Sequence, residues 1–190
     1  MNLLDRRETA ATLLANRPHH LLVVAGLGSS TYDLAAAGDD ARNVYLWGAM
    51  GGALSIGLGL ALAQPAKRVL VITGDGELLM GLGSLATVGA KSPGNLAVAV
   101  LDNEAYGETG GQPCHTALGT DLAAVALACR FREARTVRAA HELSSLRELL
   151  VSAPGPVLGV IKVASGEMPR VLPERDGHAI RRRFRDNLPG

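Results

Sequence analysis

Residues 68–77 read RVLVITGDGE, a run of apolar and mostly β-branched residues that ends in an acid between two glycines. A short apolar run bounded by glycine is typical of a buried strand, so we predict a strand over 68–73 and a helix over 78–89. Residues 95–101, NLAVAVL, predict a second buried strand, which Asp102 and Asn103 follow directly. A strand, a helix and another strand in this order are typical of a parallel sheet.

The same alternation extends in both directions from this unit. The strands are apolar at nearly every position, as expected where helices cover both faces of a sheet. We therefore predict an α/β fold, a doubly wound parallel sheet flanked by helices, with ligands bound beyond the carboxyl ends of the strands. The further predicted elements are helices over 5–16, 31–37, 50–63, 121–129 and 141–151, and strands or extended pieces over 20–26, 43–46, 133–137 and 157–163.

Composition limits the kind of protein this can be. The 190 residues predict a single domain, 1–190, with the proline-rich and charged segment 166–190 as a C-terminal arm. A net charge of +1 and 3% aromatic residues argue against nucleic acid or an anionic membrane as a partner. The two cysteines lack disulfide or metal-ligand spacing, and the N-terminus lacks an uninterrupted apolar segment. We expect a cytoplasmic protein.

Three distinctive loops are expected at one edge of the sheet: GLGSST (26–31), TGDGE (73–77) and LDNEAYGETGGQ (101–112). The amides that follow Gly76 lie where a strand turns into a helix, which favours a bound diphosphate. Asp75 offers a carboxylate oxygen and Asn103 an amide oxygen, and a backbone carbonyl in the turn after Asn103 offers a third. Mg²⁺ prefers such oxygen ligands, so we predict a magnesium and diphosphate site.

Each motif also has a purely structural interpretation. Asp75 could cap the N-terminus of the helix that follows it, and an Asp-Asn pair such as Asp102 and Asn103 is common in turns. The occurrence of both motifs, each at the end of a buried strand, favours the metal site.

The residues resemble a known family at this point. GDG followed, one helix and one strand later, by an Asn that closes an apolar strand is the signature of thiamine diphosphate enzymes. Residues 71–112 are similar to the sulfopyruvate and phosphonopyruvate decarboxylase group, in which LDN and TGGQ occur together. The resemblance runs from about residue 5 to the basic tail and implies the thiamine diphosphate-binding fold of a PP domain. One departure is Asp102, since many thiamine enzymes have a second asparagine at that position.

The resemblance implies roles for individual residues. The metal would be held by Asp75, Asn103 and the carbonyl of Ala105, and Met50 would lie beneath the bend between the two cofactor rings. The full set implied to bind thiamine diphosphate is Ser29, Ser30, Gly48, Met50, Gly74, Asp75, Gly76, Glu77, Asn103, Ala105 and Tyr106. Ordinary turn chemistry is the alternative for the two serines, and core packing is the alternative for the methionine.

Catalytic residues are weakly marked. Glu108 and His115 lie in the polar segment GETGGQPCHTA (107–117), just after the predicted metal loop, where they could contact a substrate or relay a proton. A polar surface loop has the same composition. The basic run of Arg181, Arg182, Arg183 and Arg185 could clamp an anionic substrate, and we favour binding to an acidic partner surface.

The resemblance also implies a missing part. Thiamine enzymes of this group need a pyrimidine domain with an activating glutamate, and 190 residues have room for one domain. This chain would then be the β-type subunit of a hetero-oligomeric 2-oxoacid decarboxylase that uses thiamine diphosphate and Mg²⁺, with an α-type partner. Sulfopyruvate is the first expected substrate; phosphonopyruvate decarboxylase or another thiamine-dependent lyase or carboligase is the alternative. A non-catalytic nucleotide-binding module is disfavoured because GLGSST lacks the G-x-G-x-x-G spacing.

Overall fold

The computed structural model describes residues 3–188 and has eight α-helices, two short 3-10 helices (Gly107–Thr109 and Ala140–Glu142) and eight strands within that range. The helices are α1 (Arg6–Leu14), α2 (Ser29–Ala36), α3 (Ala53–Ala63), α4 (Asp75–Met80), α5 (Gly83–Lys91), α6 (Leu122–Ala128), α7 (Leu143–Ser152) and α8 (Gly177–Asp186). The strands are β1 (Leu21–Ala25), β2 (Asn43–Tyr45), β3 (Arg68–Gly74), β4 (Leu96–Asp102), β5 (Ala105–Tyr106), β6 (Gln112–Pro113), β7 (Glu133–Val137) and β8 (Val157–Lys162).

Six of the strands form one parallel sheet in the order β2-β1-β3-β4-β8-β7, and β5 and β6 form a separate antiparallel pair. In the central strands, Val71 of β3 pairs with Val24 of β1 on one side and Val98 of β4 on the other. The chain runs outward from β1 to β2 and then returns to β3 on the opposite side of β1. Ligands of doubly wound sheets bind where the strand order reverses, and here that place is beyond the ends of β1 and β3.

Two apolar clusters fill the two faces of the sheet. One cluster joins the sheet to α1, α2 and α7, for example through Leu13, Leu34 and Leu146. The other joins it to α3, α5 and α6. Successive residues of a strand face opposite sides, so Leu70 lies in the first cluster and Val71 in the second. The predicted doubly wound α/β fold is confirmed.

Several predicted boundaries were wrong. The single helix predicted over 78–89 is two helices, α4 and α5, of which α4 begins at Asp75. The break at Gly81 has a cause in packing, because a Cβ on Gly81 would lie 2.1 Å from the carbonyl oxygen of Gly51. The helix predicted from residue 50 begins at Ala53, since Ala49 and Gly51 both have positive φ angles, 58° and 92°.

The C-terminal arm, described as far as residue 188, crosses the carboxyl edge of the sheet. It follows β8, has no regular secondary structure up to Asp176 and then forms α8 beside β2 on the far side. Arg6 and Arg7 of α1 donate to the carbonyls of Gly166 and Pro169 at 2.7 and 2.6 Å. Both arginines also pair with the fully buried Asp33. The arm is therefore fastened to the first two helices.

Further contacts hold the distal part of the arm. Trp47 donates through its indole N–H to the Glu174 carbonyl at 2.9 Å, and the Arg170 guanidinium lies 5.5 Å from the centre of the Tyr32 ring. Arg183 of α8 pairs with Asp39 at 2.7 Å. No helix among residues 3–188 is long and apolar enough to cross a membrane.

Candidate functional site

A cleft of about 550 Å³, measured to its open mouth, lies at the carboxyl ends of the central strands. All three glycine-containing loops contribute to its walls, as the sequence predicted. The cleft is lined by Arg6, Leu27, Ser29, Ser30, Met50, Gly74, Asp75, Gly76, Glu77, Leu101, Asn103, Ala105, Tyr106, Gly107, Glu108 and Val163.

Asp75 is the first residue of α4 and is 1% exposed. The helix is capped by Gly74 without a side-chain hydrogen bond, so the alternative that Asp75 is an N-cap is wrong. Its Oδ2 accepts hydrogen bonds from the Thr116 hydroxyl at 2.8 Å and the Cys114 thiol at 2.6 Å. Burial raises the pKa of Asp75, against these two hydrogen bonds. Among residues 3–188, none donates a hydrogen bond to its Oδ1.

Asn103 lies in the turn that follows β4. Its Oδ1 accepts from the Ala105 amide at 3.2 Å, and Asp102 Oδ1 accepts from the Glu104 amide at 3.1 Å. Glu104 has a positive φ of 62°. Side-chain to backbone bonds of this kind stabilise turns, so the turn interpretation of the Asp-Asn pair holds, while Asn103 and Ala105 also line the cleft.

The oxygen groups around Asp75 fit a hard divalent ion. One carboxylate, one amide and one backbone carbonyl come from two adjacent strand ends, and oxygen ligands are those that Mg²⁺ prefers. Within residues 3–188 no cluster of three or more His, Cys, Asp or Glu side chains could hold a metal, which is compatible with a ligand set that includes one acid. Position 76 also has no room for a side chain, because a Cβ there would lie 2.6 Å from the Tyr106 ring.

The sequence predicted that Glu77 binds the cofactor, but it did not predict that the Glu77 carboxylate is buried. The side chain is 4% exposed, and Oε2 accepts from the Thr73 hydroxyl at 2.7 Å. A Cβ on Gly26 would lie 1.6 Å from that oxygen, so the carboxylate fills the space left by a glycine at the end of β1. Burial raises the pKa of Glu77. In the sequence, Gly26 was the only residue that could have indicated this burial.

A buried polar network beneath the cleft was also missed. The Thr116 hydroxyl lies between Asp75 and Asp102, and Lys162 at the end of β8 pairs with Asp102 at 2.7 Å and with Glu104 at 2.6 Å. Burial lowers the pKa of Lys162, but the hydrogen bonds to the two carboxylates outweigh it and raise the pKa overall. A lysine that closes the apolar strand VLGVIK was the available signal.

Of the remaining predicted site residues, some line the cleft and others do not. Ser29, Ser30, Met50 and Glu108 line the cleft, and Ser30 is 3% exposed. Gly48 and His115 are exposed and are not among the lining residues.

Two contacts explain this distribution. The Glu108 side chain lies against Gly28, where a Cβ would be 2.6 Å from its Cγ. This contact brings the third loop onto the first. His115 points to the outside, with its Nδ1 3.5 Å from the Tyr106 hydroxyl.

A second and larger chamber adjoins the cleft. Its volume is about 1370 Å³ including open space, and it shares Arg6, Ser29, Asn103 and Glu108 with the cleft. Its outer wall comes from the arm and the segment before it, from Ser165 to Arg170. The arm thus completes a space that opens directly onto the predicted metal site.

The fold and the site define a class of protein, a doubly wound domain with a diphosphate and metal site, and comparison with known proteins identifies its family. Residues 26–161 match the family model described as thiamine pyrophosphate enzyme, C-terminal TPP binding domain. The chain belongs to this thiamine diphosphate (thiamine pyrophosphate) enzyme family, and the family resemblance of the sequence is confirmed.

Individual relatives are closer. The chain is 40% identical over 169 residues to the sulfopyruvate decarboxylase subunit beta of Methanothermobacter thermautotrophicus, covering 89% of this chain and 88% of that subunit. It is 40% identical over 178 residues to the phosphonopyruvate decarboxylase of Streptomyces viridochromogenes, covering 91% of this chain and 43% of that protein. The chain therefore spans less than half of the Streptomyces relative.

The solved structures agree on the fold. The benzoylformate decarboxylase of Polynucleobacter necessarius superimposes with a TM-score of 0.75 at 20% identity, over 87% of this chain and 34% of that one.

Proposed function

We propose that this chain is the cofactor-binding β-type subunit of a 2-oxoacid decarboxylase that uses thiamine diphosphate and Mg²⁺. The observation that carries the proposal is that Asp75, Asn103 and Ala105 all line the cleft, with Asp75 directly after β3 and Asn103 directly after the adjacent strand β4. When bound, thiamine diphosphate supplies the carbon nucleophile and the electron sink for loss of CO₂ from a 2-oxo acid.

The residues of this chain would bind and orient the cofactor. Asp75 Oδ1, Asn103 Oδ1 and the Ala105 carbonyl are the proposed metal ligands. The amides of Gly76 and Glu77 would receive the diphosphate, assisted by the two serines at the start of α2, and Gly74 and Tyr106 would complete the wall around them. Met50, which is half-buried and lines the cleft, is the proposed support for the bend in the cofactor.

We retain weaker roles for three other residues. Glu108 is the proposed contact to the substrate, since it lines both the cleft and the larger chamber. Gly48 and His115 are exposed, so their assignment requires that a partner chain covers them. In that case the Gly48 carbonyl would accept the cofactor's amino proton, and the proposed role of His115 would be proton relay.

A separate α-type subunit would supply the pyrimidine domain and its activating glutamate. Support comes from a relative that is itself named as a subunit, the sulfopyruvate decarboxylase subunit beta, with which the chain aligns over 169 residues. We propose that residues 1–190 form one domain and that the arm contacts the partner. Arg181, Arg182 and Arg185 are exposed on α8, whereas Arg183 is engaged by Asp39.

Sulfopyruvate is the proposed substrate, with sulfoacetaldehyde and CO₂ as products. Identity to the two kinds of relative is equal at 40%, and phosphonopyruvate is the alternative substrate. Activity of the co-expressed subunits on both substrates, measured side by side, would decide between them.

The test of the metal site is calorimetric titration of thiamine diphosphate with Mg²⁺ into the chain and its α-type partner. Asp75→Asn should weaken binding by at least about tenfold, since even indirect support of a metal ligand is worth about 10–100-fold in affinity. Asp121→Asn is the matched control, because Asp121 caps α6 and asparagine caps equally well. Unchanged affinity in Asp75→Asn, or binding of NAD in place of thiamine diphosphate, would contradict the proposal.

A further inference from the structure

Two buried carboxylates lie on either side of one hydroxyl group beneath the cleft. The Thr116 Oγ1 is 2.8 Å from Asp75 Oδ2 and 3.0 Å from Asp102 Oδ1, and the two acids are 1% and 2% exposed. A hydroxyl has one proton to donate, so it cannot satisfy both acceptors at once. Two carboxylates this close also repel each other when both are charged. The arrangement needs a positive charge nearby.

Lys162 provides that charge. It is the last residue of β8 and pairs in register with Asp102, the last residue of β4, so the backbone itself sets the two side chains next to each other. Its Nζ is 2.7 Å from Asp102 Oδ2, and the side chain is 10% exposed. The only other charged group it meets among residues 3–188 is Glu104, which is half exposed at 49%.

We propose that Lys162 is a positioning residue of the site. It satisfies the charge of Asp102, so that the one proton of the Thr116 hydroxyl is left for Oδ2 of Asp75, which also accepts from the Cys114 thiol. Oδ1 of Asp75 is thereby left without a hydrogen-bond donor among residues 3–188 and free to serve as the proposed metal ligand. The inference rests on the proposed function, because the effect of Lys162 is to hold Asp75, a proposed metal ligand, in one orientation.

The pair also explains the acid at position 102. A neutral asparagine there could donate through its amide to the Thr116 oxygen and would need no lysine, whereas an aspartate carries a charge that the lysine balances. Asp102 and Lys162 are therefore expected to be coupled: either change alone harms the site, and the neutral pair of asparagine and methionine is tolerated.

The first test is a thermal unfolding cycle on the full chain without cofactor. Lys162→Met leaves a buried charge unpaired and should lower the melting temperature by roughly 6–15 °C. Adding Asp102→Asn to Lys162→Met should recover at least half of that loss. Lys91→Met, at an exposed position at the end of α5, is the control and should change the midpoint by no more than about 2 °C.

Two results would overturn the coupling. One is a Lys162→Met variant as stable as the unmodified chain, and the other is a double variant no more stable than Lys162→Met alone. The link from Lys162 to Thr116 is tested in the same chain with Thr116→Val, whose loss should be non-additive with that of Lys162→Met because both act through Asp102. Strictly additive losses would overturn the link. Thr116→Ser, which keeps the hydroxyl, should retain the stability.

A second readout separates this inference from the proposed function. In titrations of thiamine diphosphate with Mg²⁺ into the chain and its partner, Lys162→Met should weaken binding by about tenfold, and the double variant should regain most of it. If the unmodified protein binds no cofactor, the proposed function fails, and the unfolding cycles still decide whether Lys162 positions Asp102 and Asp75. Full affinity in Lys162→Met would overturn the positioning role.

Discussion

Two glycines of α3 give opposite predictions for the same substitution. Gly57 faces β3, and a Cβ there would lie 2.2 Å from Val71 Cγ2 and 3.7 Å from Leu96 Cδ1. Gly59 is two residues along, and a Cβ there would have no heavy atom of residues 3–188 within 4 Å apart from its neighbours and the backbone of its own helix. We compare Gly57→Ala with Gly59→Ala. The comparison matters for the site because β3, against which Gly57 packs, leads directly into Asp75.

The magnitude follows from two opposing effects. Replacing glycine by alanine inside a helix stabilises it by about 0.5–1 kcal/mol at either position. At Gly57 the new methyl group would be more than about 1 Å inside the normal separation of carbon atoms, and Val71 is fully buried and β-branched, so it cannot turn away. Overpacking of this kind costs about 1–3 kcal/mol.

The expected outcome is a gain of about 0.5–1 kcal/mol in the free energy of unfolding for Gly59→Ala. Gly57→Ala should lie about 1–3 kcal/mol below it, since the helix contribution is common to both. Urea unfolding of the full chain measures the difference, with equal slopes in both variants as the check for two-state behaviour. Equal stability of the two variants would refute the conclusion that α3 is held against β3 at contact distance.

Two further predictions concern pH. Burial raises the pKa of Glu77 above 4.5, so the folded chain keeps that proton to higher pH than the unfolded chain, and stability falls as pH rises through this window. Chemical unfolding should show that Glu77→Gln removes this fall, by at most about 1.4 kcal/mol per pH unit, and Glu148→Gln, which is exposed, should not. Arg42 lowers the pKa of Asp40 to about 2. The stability that Asp40→Asn loses near pH 6 should therefore disappear as acid unfolding is followed from pH 3.8 towards 2; a constant difference would contradict this.

The apolar runs of the sequence were sufficient to predict the buried strands of the sheet. The apolar runs over 68–73, 95–101 and 157–163 became β3, β4 and β8 within a residue or so. The cleft formed where these strands end, because parallel strands bring their carboxyl ends to one edge of the sheet. Asp75 and Asn103 could therefore be placed near each other without any knowledge of side-chain packing.

Contacts between distant segments could not be predicted in this way. Lys162 reaches Asp102 only because β8 is inserted between β4 and β7, and the periodicity of single strands does not specify that order. Thr116 reaches Asp75 through a loop with no regular structure. The break between α4 and α5 depends on the crossing of Gly51 and Gly81. Each of these is a property of the assembled sheet and not of a segment.

Asp33 joins two parts of the chain that are far apart in sequence. It is fully buried and pairs with Arg6 and Arg7, which in turn donate to the backbone of the C-terminal arm at Gly166 and Pro169. The first helix and the start of the arm therefore share one anchor. Arg7→Ala would remove one of the two arginine donors to the arm's backbone and so loosen the segment from Ser165 to Arg170 that lines the larger chamber.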